Sequence, residues 1–126
     1  MPFFIIAGAV NAALSVALGA FGAHALKERL SEHYLAVWET AVQYQMFHAI
    51  GLIAVGILMS SSLLGPSTQL SWAGYLLLAG IIIFSGSLYV LSLSGIGILG
   101  AITPIGGVAF IIGWILLIIA AIQFGK

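Results

Sequence analysis

From Thr40 to Gly125 the chain contains no Asp, Glu, Lys or Arg, and His48 is the only readily ionisable side chain in that run. A bilayer core about 30 Å thick is crossed by about 20 helical residues, so a single span cannot account for such a stretch. Breaks are expected at 60–69, SSSLLGPSTQ, where Gly65-Pro66 and the hydroxyl residues end a helix, and at 94–104, SGIGILGAITP, where glycines crowd in before Pro104. With the apolar segment before His24, this predicts four spans at about 3–23, 42–63, 71–92 and 103–124. Strands are disfavoured, because period-two alternation is absent and an open sheet in lipid leaves edge groups unpaired. The expected fold is all-α: an integral membrane four-helix bundle forming one domain over 1–126.

Hydrophobic residues make up 63% of the chain and charged residues 5%, against about 45–50% and about 25% in soluble domains. Six charges cannot cover the surface of a water-soluble fold this size. The lipid bilayer is therefore the first partner, and zero net charge excludes nucleic acid as another. With no cysteine there is no disulfide and no thiolate metal site. The first apolar segment reads as a span and not as a secretory signal, although AHA at 23–25 has the form of a cleavage site. No Lys or Arg precedes it, and it is longer than a usual signal core.

Gly8, Ala12, Ser15, Gly19 and Gly22 recur at spacings of three and four, which places a small-residue seam down one face of span one. Lipid supplies little hydrophobic drive between helices, so close backbone approach along such a seam is a main source of association, with another span or with a second copy. Asn11 lies roughly 60° from the seam, near enough to hydrogen-bond across the contact. Gly106, Gly107 and Gly113 give span four a less regular set of small positions. Trp72, Tyr75, Tyr89 and Phe124 fall near predicted span ends, as interface rings do. Trp114 falls near mid-span, where its indole N–H needs a partner inside the bundle and packing is the expected role.

GIGILG, at 95–100, has the letters of a dinucleotide fingerprint but lies between two spans, with no strand before it and no acid after it, so it reads as a turn. Residues 22–33, GAHALKERLSEH, hold most of the charge. Leu26, Leu30, Tyr34, Val37, Trp38, Ala41 and Tyr44 recur every three or four residues, opposite Lys27, Glu28, Glu32, Glu39 and Gln43. That pattern predicts a short amphipathic interfacial helix over about 26–40, between spans one and two.

His24, Glu39 and His48 stand out as candidate polar groups. On one helix His48 shares a face with Trp38, Ala41, Tyr44 and Gln45, while Glu39 and Gln43 lie roughly 140–180° away, so Glu39 and His48 are not expected in one site. A neutral His48 within the apolar run seeks a hydrogen bond, from Gln45 one turn before it or from a hydroxyl on another span. No His-x-x-x-His or Glu-x-x-His spacing fixes two metal ligands on a helix, so neither a metal nor a cofactor is expected.

GAFGAHAL (19–26), WETAVQYQMFHA (38–49), FSGSLY (84–89) and TPIGGVAFIIGW (103–114), taken in order, resemble the domain of unknown function 423 family, with its YgdD-like and YwdK-like bacterial members and eukaryotic transmembrane protein 256. The resemblance implies a four-span integral membrane protein with no assigned biochemical activity. It also implies that Gly22, His24, His48, Ser87, Tyr89, Pro104, Gly106, Gly107, Gly113 and Trp114 are family positions.

Three functional readings follow. The first is a non-enzymatic bundle that associates with itself or with another membrane protein. The alternative is a proton or small-solute conduit using His48 and His24, with Asn11 and Gln45. An enzyme is disfavoured, because no nucleophile and base are paired. Lys27 and Arg29, against Lys126 and the α-amino group, place the 24–40 segment in the cytoplasm and both termini outside the cell membrane.

Overall fold

A computed structural model describes residues 2–125. Four helical spans cover Phe3–Leu26, Glu32–Leu58, Thr68–Ser94 and Gly97–Phe124, each long and apolar enough to cross a bilayer. No strand occurs among the described residues. Large aliphatic side chains such as Ile6, Val10, Ile82, Val90, Ile118 and Ile122 stay more than half exposed. The solvent for such a surface is hydrocarbon.

Local chemistry sets the breaks. Ser31 caps span two by accepting a hydrogen bond from the Tyr34 backbone N–H at 3.2 Å, and Ser67 caps span three in the same way from Leu70 at 3.1 Å. Gly65 and Gly95 hold positive φ values of 78° and 71°, a conformation that excludes ordinary side chains and turns the chain at both later breaks. Past Gly95, residues Gly97–Ala101 form a 3-10 turn into the last span, so GIGILG is a turn.

The expected interfacial helix over 26–40 is not a separate element. Gly22–Leu26 is a π-helical turn that finishes span one, residues 27–30 form the connection, and from Glu32 one helix runs unbroken to Leu58. The amphipathic period has a different cause. Leu26, Trp38 and Val42 form a buried cluster that also takes in Leu18, Leu30 and Tyr89, so the apolar stripe faces neighbouring spans and not the membrane surface.

Span two packs against spans one and three and reaches span four through side chains, His48 meeting Trp114 and Phe110. Its lower half meets Phe4, Leu70, Leu77, Ile81 and Phe110 in the main apolar core. A second π-helical turn, Ile81–Ser85, interrupts span three. There the Ser85 hydroxyl donates to the Ala41 carbonyl of span two at 2.8 Å. Spans three and four are joined by the Ser87 and Thr103 hydroxyls, 2.6 Å apart.

Candidate functional site

Two sets of polar side chains meet span two on neighbouring sides, one around Gln45 and one around His48. On the first side, the small-residue seam of span one lies against span two. A Cβ on Gly8 would stand 2.7 Å from the Ala49 carbonyl oxygen and 2.9 Å from the Ile53 nitrogen, so only glycine allows that backbone approach. A Cβ on Gly22 would strike the indole of Trp38, and one on Gly19 would crowd Val42. Ser15 is fully buried, its hydroxyl bonded back to the Asn11 carbonyl at 2.8 Å, and Ala12 is half-buried beside it. The seam is thus used within the chain.

Across this contact runs a closed chain of hydrogen bonds. Asn11 donates to the Ala7 carbonyl at 2.9 Å and accepts from the Gln45 amide at 3.0 Å, and the Gln45 oxygen accepts from the Tyr89 hydroxyl at 2.6 Å. Trp38, with its ring edge on Tyr89, donates its indole N–H to the Leu18 carbonyl at 2.9 Å. Spans one, two and three are locked together by groups that satisfy one another. Tyr89 is therefore a partner of Gln45, not an interface ring.

On the other side, His48 is 4% exposed. Its Nε2 accepts from the Trp114 indole at 3.0 Å, and because indole only donates, the ring proton must sit on Nδ1, which donates to the Tyr44 carbonyl at 2.8 Å. Neither expected partner, Gln45 or a hydroxyl, is used. Phe110 stacks on the imidazole with centroids 3.5 Å apart, and Phe84 stands 4.4 Å from Tyr44. These rings line a cleft of about 620 Å³ that opens sideways between spans two, three and four, with Gly107 and Ile111 on one wall and Gln43 and Phe47 on the other.

Residues 18–107 match the family model described as Protein of unknown function (DUF423). The chain belongs to this family. The UPF0382 membrane protein SAB0533 of Staphylococcus aureus (strain bovine RF122 / ET3-1) is 55% identical over 124 residues, 98% of each chain. The UPF0382 membrane protein YwdK of Bacillus subtilis (strain 168) is 54% identical, over 98% of this chain and 99% of its own. No solved structure matches. This DUF423 chain is thus a multi-pass membrane protein of an uncharacterised family, and neither of these relatives carries the name of an enzyme.

The other candidate groups do not join either cluster. His24 is exposed on the π turn that ends span one, and Glu39 is exposed on span two. About 24 Å of helix axis separates Glu32, near the His24 end, from His48, at 1.5 Å per residue. Among the described residues no three His, Cys, Asp or Glu side chains stand close enough to hold a metal ion. In span four of this DUF423 protein, Gly106 seats Phe84 and Gly113 seats Leu77, while a Cβ on Gly107, which lines the cleft, would meet the Phe84 ring only at an ordinary contact distance of 3.9 Å. Sequence reasoning missed the roles of Tyr89, Phe84 and Phe110. Phe84 seats against Gly106 and Phe110 against Gly80, pairings between spans that no spacing within one span discloses.

Proposed function

We propose that this protein is a non-enzymatic membrane bundle that acts by association with another membrane protein or with itself, through the cleft floored by His48. The supporting observation is a contrast in saturation. Asn11, Ser15, Gln45 and His48 are all bonded within the chain, whereas the aromatic cleft stands open to the membrane at mid-span. Acid–base chemistry needs a group free to exchange a proton with a substrate, and both nitrogens of His48 are already engaged. The test is a benzophenone amino acid in place of Ile111, irradiated in native membranes. A protein adduct identified by mass spectrometry is expected; adducts to lipid alone overturn the proposal.

The conduit alternative requires polar groups in sequence across the membrane. Against it, Gln45 and His48 are bonded to different neighbours, and His24 lies at one membrane face. Purified protein in liposomes is expected to carry no proton flux above that of empty vesicles. A flux abolished by His48→Ala would restore the alternative.

The same proposal includes an orientation, with 24–40 cytoplasmic and both termini outside, on the strength of Lys27 and Arg29. Lys126 and Met1, the opposing side of that comparison, lie outside the described residues. A reporter fused after Lys126 is expected to be active outside the cytoplasm, and cytoplasmic activity reverses the topology.

A further inference from the structure

We propose that the turn joining spans three and four is inserted into the bilayer, its side chains among the lipid acyl chains, while the connection between spans one and two on the same face stands in water, so that the bundle lies tilted. This is independent of what fills the cleft. It starts from a contrast between two turns. Residues 27–33 read KERLSEH, and all but Leu30 are exposed. Residues 95–102 read GIGILGAI, without one polar side chain. There Ile96 and Ile102 are exposed, and Ile98, 74% exposed, is the barest large apolar side chain among the described residues.

The two turns share a membrane face. With four spans the first and third connections fall on one side, and a Cβ added to Gly95 would stand 3.7 Å from the phenol oxygen of Tyr34, in the first turn of span two. An upright bundle would hold charged side chains and bare isoleucines at one height, where no single medium suits both.

The length of span two resolves the conflict. Its 27 residues extend about 40 Å at 1.5 Å per residue, about 10 Å more than the hydrocarbon layer. A span that is too long is accommodated by tilting, commonly by about 20°. Packing and chemistry together set the direction. Span one lies on span two and span four on span three, so the bundle is two hairpins side by side. Across two helix spacings, about 20 Å, a tilt of about 20° lowers one edge by about 7 Å relative to the other, nearly five residues of helix. Lowering the hairpin of spans three and four sinks the isoleucines and lifts the charged connection. The same tilt raises Gln123, at the far end of span four, toward water and draws Phe3, at the far end of span one, into lipid. The one is polar and the other apolar, as that movement requires.

The backbone of the turn suits the boundary between headgroups and acyl chains. The Ser94 hydroxyl accepts from the Ile96 N–H at 3.2 Å and donates to the Val90 carbonyl at 2.7 Å, and the Leu99 and Ile102 N–H groups are bonded within the turn at 3.1 and 3.0 Å. Chain that satisfies itself in this way enters that layer at low cost, and apolar faces sink about 5–10 Å into it.

The sequence contains no cysteine, so a spin label on one introduced thiol gives an unambiguous reading. In full-length protein in phosphatidylcholine liposomes, power-saturation electron paramagnetic resonance compares collisions with oxygen, which enters hydrocarbon, and with a polar nickel chelate supplied on both sides, which does not. A label at Ile98→Cys is expected to resemble one at Val90→Cys, rich in oxygen collisions, with nickel collisions about tenfold below those at Arg29→Cys. Nickel access equal to that at Arg29→Cys overturns the insertion. A label shielded from oxygen and nickel alike is covered by protein and overturns it too. The far face reads the tilt separately: Gln123→Cys is expected to meet nickel more often than Phe3→Cys, and equal or reversed access overturns the tilt.

Discussion

Span two has two working faces, and they treat polar groups in opposite ways. Toward spans one and three, Asn11, Gln45 and Tyr89 close on one another over a glycine-lined contact. Toward spans three and four, the rings around His48 leave a cleft, with the Gln43 amide bare at its lip. Since hydrocarbon offers no hydrogen bonds, every polar group at depth must find a partner inside the chain or in another molecule. The closed face spends its polar groups on holding the fold. The open face leaves the Gln43 amide exposed, outside the bonds that hold the fold.

The sharpest way to break the contrast is to force the closed face apart. Gly8→Leu drives side-chain atoms into the backbone of Ala49 and Ile53, which cannot swing away. A loss of about 3 kcal/mol or more is expected, read as a steep fall in the thermal midpoint in detergent. Gln45→Leu comes next. It leaves Asn11 and Tyr89 short of a partner each, at about 1–3 kcal/mol per unsatisfied group in general and nearer about 0.6 per bond in membrane bundles. A loss of about 2 kcal/mol is expected, and adding Tyr89→Phe should recover part of it. Trp114→Phe keeps a ring but frees only His48 Nε2, so about 1 kcal/mol is expected. If Gln45→Leu proved harmless, the closed face would not be closed by hydrogen bonds.

How much of this the sequence discloses depends on the distance over which each feature is determined. The four spans are legible because a stretch without charge from Thr40 to Gly125 admits no other fold, and turn residues such as Gly65 and Gly95 punctuate it. The start of span two is not, because a stripe that lies on a membrane surface and one that packs sideways have the same period of three and four. Trp38 thus reads as a surface anchor until Leu18 and Tyr89 are seen around it. That Asn11 bonds across the contact follows from its position near the seam, but its partner there, Gln45, reads from the sequence as a partner of His48, and the bond from Tyr89 to Gln45 is not legible at all. The π turn at Ile81–Ser85 adds a residue and shifts everything beyond it by about 100°, so a helical wheel misplaces Tyr89. The cleft leaves no local trace, since it is a gap between three spans.

The smallest expected effects are on the exposed row of span two. Glu39 lies one turn before Gln43 on the same row, exposed and without a salt bridge or hydrogen bond among the described residues. Glu39→Gln should leave the thermal midpoint in detergent unchanged. Gln43→Leu is expected to change stability by less than about 0.5 kcal/mol, as surface substitutions that break no bond do. The same exchange at Gln45, two positions along the same helix, is the one expected to cost about 2 kcal/mol. A fall in the midpoint at Gln43 as large as that at Gln45 would mean that both faces hold the fold, because an amide whose loss is felt as much as that of a bonded one must itself be bonded.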